Sequence, residues 1–236
     1  MNKIEIYNMD CLPEMAKMAD KAFDLAIVDP PWGINASKGT WGSSNLGMVT
    51  NYGEKTWDKK QPPAEYFNEL RRISINQIIW GGNFFLDHLP STPCMVIWDK
   101  LNSGDFADCE LAWTSFKTAV RKFTFRWNGM LQQDMKNKEH RIHPTQKPVR
   151  LYEWLLKNYA KPGDRILDTH LGSGSSAIAA YNMGFDFTGF EIDPDYFKAT
   201  KERIENHMKQ GRLFDPFEER KFPDPKQAEL DILRGK

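Results

Sequence analysis

An acid, two prolines and an indole, Asp29-Pro30-Pro31-Trp32, close the apolar run Leu25-Ala26-Ile27-Val28. The run reads as a buried strand with a β-branched end. Neither proline has an N–H with which to continue a ladder. Asp29 is therefore expected at the carboxyl end of the strand, beside a stiff turn and a flat aromatic surface. In open α/β sheets that edge is where ligands bind. An acid, free carbonyls and an aromatic plate together suit a planar base that carries an amino group. A plain Pro-rich turn could have the same sequence, so this stretch needs a partner elsewhere in the chain.

A second stretch supplies one. Arg165-Ile166-Leu167-Asp168 reads as a strand that leads into Thr169-His170-Leu171-Gly172-Ser173-Gly174-Ser175-Ser176 and then a helix. Small residues in such a loop let the backbone approach a ligand. Glu191 ends the next strand about 20 residues later, where ribose hydroxyls are held in folds of this kind. The loop lacks the third glycine of GxGxxG. Asp168 would also repel a pyrophosphate but could meet a cation. A sulfonium cofactor with an α-ammonium group, S-adenosylmethionine, fits better than a dinucleotide.

The elements that must position these residues alternate between strand and helix. Strands are predicted around Ile4–Tyr7, Gln77–Trp80, Cys94–Asp99, Leu111–Thr114, Ala119–Trp127 and Asp186–Asp193. Helices are predicted over Leu12–Lys21, Ala64–Ile75 and Val149–Tyr159, from Ala177, and from Pro194 to a stop at Gly211, with Asp193 as its cap. Residues 33–63 read as a long loop near the site, carrying Trp41, Tyr52 and Trp57, and 129–141 as a polar loop. Residues 212–236 read as a charged C-terminal tail. The expected class is α/β: a Rossmann-like mixed, mostly parallel sheet with helices on both faces. No repeat or linker interrupts it, so one domain is expected over residues 1–236.

Composition narrows the options further. Of 236 residues, 40% are hydrophobic, and Lys+Arg equals Asp+Glu, so net charge is zero. Any nucleic-acid affinity must come from a local patch. The span 117–150 offers one: Lys117, Arg121, Lys122, Arg126, Lys136, Lys138, Arg141, Lys147 and Arg150 against only Asp134 and Glu139. Cys11, Cys94 and Cys109 form no zinc spacing, so no metal is expected. A reduced, cytoplasmic setting without a signal peptide or membrane span is expected.

Five motifs in order resemble the exocyclic-amino DNA methyltransferases, adenine-N6 or cytosine-N4, of the circularly permuted β-type group. They are Asn8-Met9-Asp10-Cys11, Asp29-Pro30-Pro31-Trp32, His143-Pro144-Thr145-Gln146-Lys147-Pro148, the loop Asp168 to Ser176, and Gly189-Phe190-Glu191-Ile192-Asp193. The resemblance implies S-adenosylmethionine as cofactor and DNA as substrate. It implies that Asp168, Thr169, Leu171, Gly172 and Ser173 shape the cofactor loop and Glu191 holds the ribose. Asp10 and Cys11 would contact the adenine of the cofactor, Lys147 its carboxylate, and His143 the same wall, with Asp29 beside the methyl group. The family more often has Asp-Pro-Phe where Asp168-Thr169-His170 stands, and Tyr where Trp32 stands.

On this reading Asp29, Pro30, Pro31 and Trp32 are catalytic. Asp29 and the Pro30 carbonyl accept the amino hydrogens of the base, and Trp32 stacks on a base flipped from the duplex. Lys117, Arg121, Lys122, Arg126, Lys136, Lys138 and Arg141 are the candidate DNA contacts. The Asp-Pro-Pro form favours adenine. Cytosine-N4 in DNA, adenine-N6 in RNA, and a cofactor-binding scaffold subunit are the alternatives. A cytosine-C5 mechanism through Cys94 lacks its acid partner, and the loop spacing disfavours a nicotinamide dehydrogenase. The short interval 129–141 implies a relaxed or very short recognition site. A homodimer and a cognate restriction enzyme are the remaining partners considered.

Overall fold

The computed structural model describes residues 2–36, 55, 57–102, 107–128 and 131–209. Trp41 and Tyr52 of the long loop, Gly211 and the tail 212–236 lie outside the described residues. Ten strands and five α-helices are assigned, in the chain order β1 (Ile4–Asn8), α1 (Cys11–Met15), β2 (Phe23–Val28), α2 (Ala64–Ile73), β3 (Ser74–Trp80), β4 (Met95–Asp99), β5 (Cys109–Thr114), β6 (Arg121–Thr124), β7 (Trp127–Asn128), β8 (Leu131–Gln132), α3 (Val149–Tyr159), β9 (Arg165–Asp168), α4 (Ser175–Met183), β10 (Asp186–Glu191) and α5 (Pro194–Lys209).

Eight strands form one sheet in the order β1-β10-β9-β2-β3-β5-β4-β6. Only β5 runs antiparallel, to β3 on one side and β4 on the other. The expected mixed, mostly parallel sheet is therefore the one observed. β2 lies between β9 and β3, parallel to both, and Leu25 to Val28 are all buried. Burial on both faces is what makes a parallel strand a continuous apolar run.

Alternate residues of β2 enter two cores. Leu25 and Ile27 join Leu151, Tyr152, Leu155 and Ile178, from α3 and α4. Ala26 and Val28 join Met15 of α1 and Tyr66, Phe67, Leu70 and Ile73 of α2. Helices thus cover both faces. Spacing of three and four residues puts Tyr66, Phe67, Leu70 and Ile73 on one stripe, the pattern of an amphipathic helix. α5 starts as expected: Asp193 Oδ1 accepts the N–H groups of Asp195 at 2.9 Å and Tyr196 at 3.1 Å.

Three expectations need correction. The helix expected over 12–21 stops at Met15, because Ala16 to Lys21 form turns and Lys21 takes a positive φ of 53°. The strand expected over 119–127 divides into β6 and β7: Phe125 N–H makes a last bond to Asp99 O of β4 at 3.0 Å, and Trp127 then pairs with Gln132 of β8 instead. The polar loop 129–141 contains β8, which pairs with β7 as a small separate ladder. No helix among the described residues is long and apolar enough to cross a membrane.

Phe67 has no exposed surface and touches His88 and Phe85 as well as Tyr66. Phe67→Ala should cost about 3–5 kcal/mol of stability, the range for truncating a buried aromatic side chain. A shift in denaturant midpoint at constant slope measures it. A near-zero shift would mean that α2 does not pack as described.

Candidate active site

The chain leaves β9 toward β10 on one side and β2 toward β3 on the other. The carboxyl ends of β9 and β2 therefore form a topological switch point, the place where open α/β sheets hold ligands. Asp168 is the last residue of β9 and Asp29 follows the last residue of β2. The parallel neighbours β10 and β1 bring Glu191 and Asn8 to the same edge, with Asp10 just beyond. Sequence positions more than a hundred residues apart thus meet at one crevice.

The glycine loop is built around carboxylates. Asp168 accepts the His170 N–H at 3.0 Å and the Ser176 hydroxyl at 2.6 Å. Burial pushes its pKa up to about 7, against those two hydrogen bonds. Glu191 accepts the Gly172 N–H at 2.8 Å on one oxygen and the Asp193 N–H at 2.9 Å on the other. Gly174, at φ +74°, lets the loop enter α4, and a Cβ there would come within 2.7 Å of Thr200. Leu171 and Ser173 are buried. The Ser173 carbonyl accepts from Arg203 of α5 at 2.7 Å. Asp10 caps α1 by accepting the Leu12 N–H at 3.0 Å, and burial followed by the Asp10 charge raises the pKa of the adjacent Cys11 thiol to about 12. Cys11 is therefore a packing group, not a nucleophile.

Thr169 and His170, where the sequence departs from Asp-Pro-Phe, form a cluster with Tyr66. The Tyr66 hydroxyl lies 2.6 Å from Thr169 Oγ1, and His170 Nδ1 lies 3.0 Å from the same oxygen. Burial holds His170 neutral, with its pKa lowered to about 4. His143 packs between Trp57, at 5.1 Å, and Tyr196, at 4.3 Å between ring centres. It faces Gly172, so it borders the same loop. Burial, helped by the Lys147 charge, lowers its pKa to about 3.

At the other end of the crevice, Trp32 stacks on Phe84 at 5.1 Å. Gly81, at φ +70°, makes room for the indole: a Cβ there would lie 2.3 Å from its nitrogen. Past Pro30, Pro31 and Trp32 the turn is held by Asp58, whose two oxygens accept the Gly33 N–H at 2.9 Å and the Ala36 N–H at 2.6 Å. Lys147, expected at the cofactor carboxylate, is engaged here by two side-chain carboxylates. Its ammonium lies 2.5 Å from Asp29 Oδ2 and 3.1 Å from Glu110 Oε2, with its side chain 3% exposed. Burial opposes the lysine charge, but Asp29 and Glu110 outweigh it and raise its pKa. Burial raises the pKa of Asp29, with Lys147 opposing and Glu110 adding to the rise. Asp29 Oδ1 is buried and accepts no hydrogen bond of good geometry among the described residues, although the Trp32 side chain favours the charged form of Asp29.

The basic span divides. Strands β3, β4 and β6 run parallel to β2, so residues just after β6 lie on the Asp29 edge. Arg126 follows β6 at that end, whereas Lys138 lines a groove with Phe125, Trp127, Arg203 and His207. Lys117 and Arg121 precede or open β6 and lie toward the opposite edge, about 10 Å away at the rise of a strand. They are separated from Asp29 by the run of the strand, contrary to the continuous track expected. Lys122 pairs with Asp99 at 3.3 Å, and the Arg141 guanidinium sits 4.8 Å over the Trp127 ring. Among the described residues no group of His, Cys, Asp and Glu could hold a metal ion.

Glu110, Lys100, Tyr66, Asp58 and Arg203 were not anticipated. Each acts across the sheet or between loops, and no local pattern marks it. Glu110 could have been noticed only as an acid in an otherwise apolar strand.

The DNA methylase family of N6- and N4-acting enzymes matches residues 92–202. That stretch holds the His-Pro motif and the glycine loop. The type II methyltransferase M2.DpnII of Streptococcus pneumoniae is 23% identical over 248 aligned positions, covering 86% of this chain and 90% of its own. The family match covers just under half of the chain, and together with this relative it makes the chain similar to the exocyclic-amino DNA methyltransferases. The fold agrees. The M1.HpyAVI–SAM complex superposes with a TM-score of 0.52 at 21% identity, over 84% of this chain and 98% of that one. The cytosine-N4-specific PvuII DNA methyltransferase gives 0.55 at 13% identity, over 89% and 93%.

Asp168→Asn tests the acid in the glycine loop. The folded pKa of about 7 lies above the ordinary 3.8. The native state then holds the proton more tightly than the unfolded chain, and Asp168 erodes stability as pH rises from about 4 to 7. Asparagine cannot ionise. The variant should therefore gain melting temperature relative to the parent across that window, with the difference level above pH 7. Melting curves from pH 4 to 8 check this, and a pH-independent difference would contradict it.

Proposed function

We propose that this chain is a DNA methyltransferase that transfers a methyl group from S-adenosylmethionine to the exocyclic N6 of adenine, within one catalytic domain and on a base flipped out of the duplex. The observation that carries the reading is Asp29 itself. Lys147 holds one oxygen, and the other, buried at a strand end beside Trp32, accepts no hydrogen bond of good geometry among the described residues. An unpaired buried acceptor is costly, and an amino N–H would satisfy it.

The residues of the crevice suit the cofactor. When bound, S-adenosylmethionine supplies an electrophilic sulfonium methyl. Asp168, Thr169, Leu171, Gly172 and Ser173 would hold its amino-acid end, Glu191 its ribose hydroxyls, and Asp10 and Cys11 its adenine. His143, kept neutral, would close that wall. A Cβ at Gly172 would touch only His143, at 3.9 Å, so the loop backbone is open to a ligand.

The amino nitrogen of adenine is a weak nucleophile because its lone pair is delocalised into the ring. Asp29 Oδ1 and the Pro30 carbonyl accept its hydrogens and favour a pyramidal nitrogen. Orientation and electrostatics then contribute most of the rate. The flat face of Trp32 lies beside the acceptor, where base–aromatic stacking is worth about 1–3 kcal/mol. An acid at the first position of the Asp-Pro-Pro motif favours adenine over cytosine. Asp29→Ala should keep cofactor affinity and abolish transfer. Mass spectrometry of nucleosides from DNA and RNA treated with labelled cofactor should find N6-methyladenine in DNA alone. N4-methylcytosine, or turnover by Asp29→Ala, would refute the assignment.

The exposed cations after β6 would follow the phosphate backbone. Lys136→Glu combined with Lys138→Glu should weaken DNA binding and flatten its salt dependence by about one unit of slope per lysine. Arg121→Glu, at the opposite edge, should leave both nearly unchanged. Titrations at several salt concentrations separate the two. Equal losses would restore the continuous track.

A further inference from the structure

Glu110 and Lys100 remain unexplained by the reading above. β4 and β5 are antiparallel, with Trp98 opposite Glu110 and Asp99 opposite Cys109. This register brings Lys100, the residue after β4, to the side of Glu110. Lys100 grips Glu110 Oε1. Glu110 Oε2 faces Lys147 at 3.1 Å, and Lys147 reaches Asp29 Oδ2 at 2.5 Å. Four charges alternate in sign across three strands and a loop, and they sum to zero. The two acids are 14% and 17% exposed and Lys147 is 3% exposed, so water screens the inner links little.

We propose that Glu110, backed by Lys100, is a positioning residue for methyl transfer: it fixes the Lys147 ammonium on Oδ2 of Asp29, so that Oδ1 alone faces the amino group. This rests on the reading of Asp29 as the acceptor. A lysine is a point charge on a flexible stem with three rotatable donors. Held by Asp29 alone, the ammonium could bridge or exchange between the two carboxylate oxygens. Glu110 on its far side defines one direction, and the Trp32 and Trp80 rings, each 5.3 Å away, border the ammonium. A carboxylate whose two oxygens differ in partner can rotate little, and an amino nitrogen held by it shares that order.

The charges and titratable groups facing Asp29 come from several elements. They are Lys147 before α3, Glu110 of β5, Asp168 of β9, Tyr66 of α2 and Tyr152 of α3. Among these, Glu110 is a neighbouring negative charge that favours protonation of Asp29. Its removal should ease ionisation of Asp29.

The test compares Glu110→Gln, Glu110→Asp and the double variant Lys100→Gln with Glu110→Gln, which keeps the buried charge at zero if the single variant fails to fold. Expected for Glu110→Gln are a kcat about a hundredfold lower, an unaltered KM for DNA and an unaltered cofactor Kd. The acidic limb of the kcat–pH profile should move to lower pH, and Glu110→Asp should recover part of kcat. A crystal structure of the double variant should show Lys147 turned away from Oδ2 or bridging both oxygens. Parental kcat and pH profile in a folded variant, or Lys147 unmoved in that crystal structure, would overturn the proposal. A parallel loss of cofactor affinity would overturn it too, since it would make Lys147 a cofactor ligand. If the parent enzyme methylates no nucleic acid, the acceptor reading of Asp29 fails separately, and the position of Lys147 in the crystal structure still decides the role of Glu110.

Discussion

The ion pair between Lys147 and Asp29 is the contact on which the site depends. It joins the turn after β2 to the loop before α3, 118 residues later in the chain. Removing two charges from water is expensive, and their attraction offsets the cost only if the geometry is good and the other valences are met. On the lysine side Glu110 adds a second ion pair and is itself paired with Lys100. On the aspartate side one valence is left open. Asp29 Oδ1 and Glu110 Oε2 are both buried without a hydrogen bond of good geometry among the described residues, and such acceptors cost stability.

The sheet order explains why this pair forms at all. β9 and β2 are adjacent and parallel, but the chain departs from them in opposite directions, which leaves a crevice at their carboxyl ends. One wall carries the glycine loop with Asp168 and the neighbouring Glu191. The other carries Asp29, the two prolines and Trp32. Neither wall is complete within a single βαβ unit. The chemistry at Asp29 therefore needs the whole central sheet, and the two buried clusters on its faces, to be in place first.

The elements with strong local signals were legible in the sequence. β2 is apolar throughout because both faces are covered, and α3 has the bounds its spacing predicts, Val149–Tyr159. Asp193 and Pro194 open α5 where capping rules put them. Asp168 and Glu191 stand at strand ends as the glycine loop required. The failures share a cause. The helix after Cys11 is cut short by turns that dock Lys21 on the end of α2, through bonds to the carbonyls of Arg71, Arg72 and Ser74. The hairpin of β7 and β8 has strands of two residues, too short to show alternation. Lys147 was placed at a cofactor by motif position, and nothing in its local sequence names its side-chain partners Asp29 and Glu110, which strand order and register bring to it. Local patterns report propensity and burial, not which distant side chains will share a buried charge.

The same distinction bears on how the region after β6 is connected to the glycine loop. Glu139 was counted only as one of two acids in a basic span, yet it is a junction. Its backbone N–H and carbonyl pair with the amide of Gln132 in β8, both at 2.8 Å. One carboxylate oxygen accepts the N–H of Val149 at the start of α3, and the other accepts from Arg203 at 2.7 Å. Arg203 in turn donates to the carbonyl of Ser173. Burial raises the pKa of Glu139, with the Arg203 charge opposing the rise. A segment bearing Lys136 and Lys138 is therefore tied to the glycine loop through two side chains. A shift of that hairpin cannot leave Glu139 in place, and Glu139 holds both the helix behind Lys147 and the arginine behind Ser173. The short span between β6 and the His-Pro motif is thus part of the frame of the crevice, and the cations it carries are positioned by the same contacts that hold the two walls together.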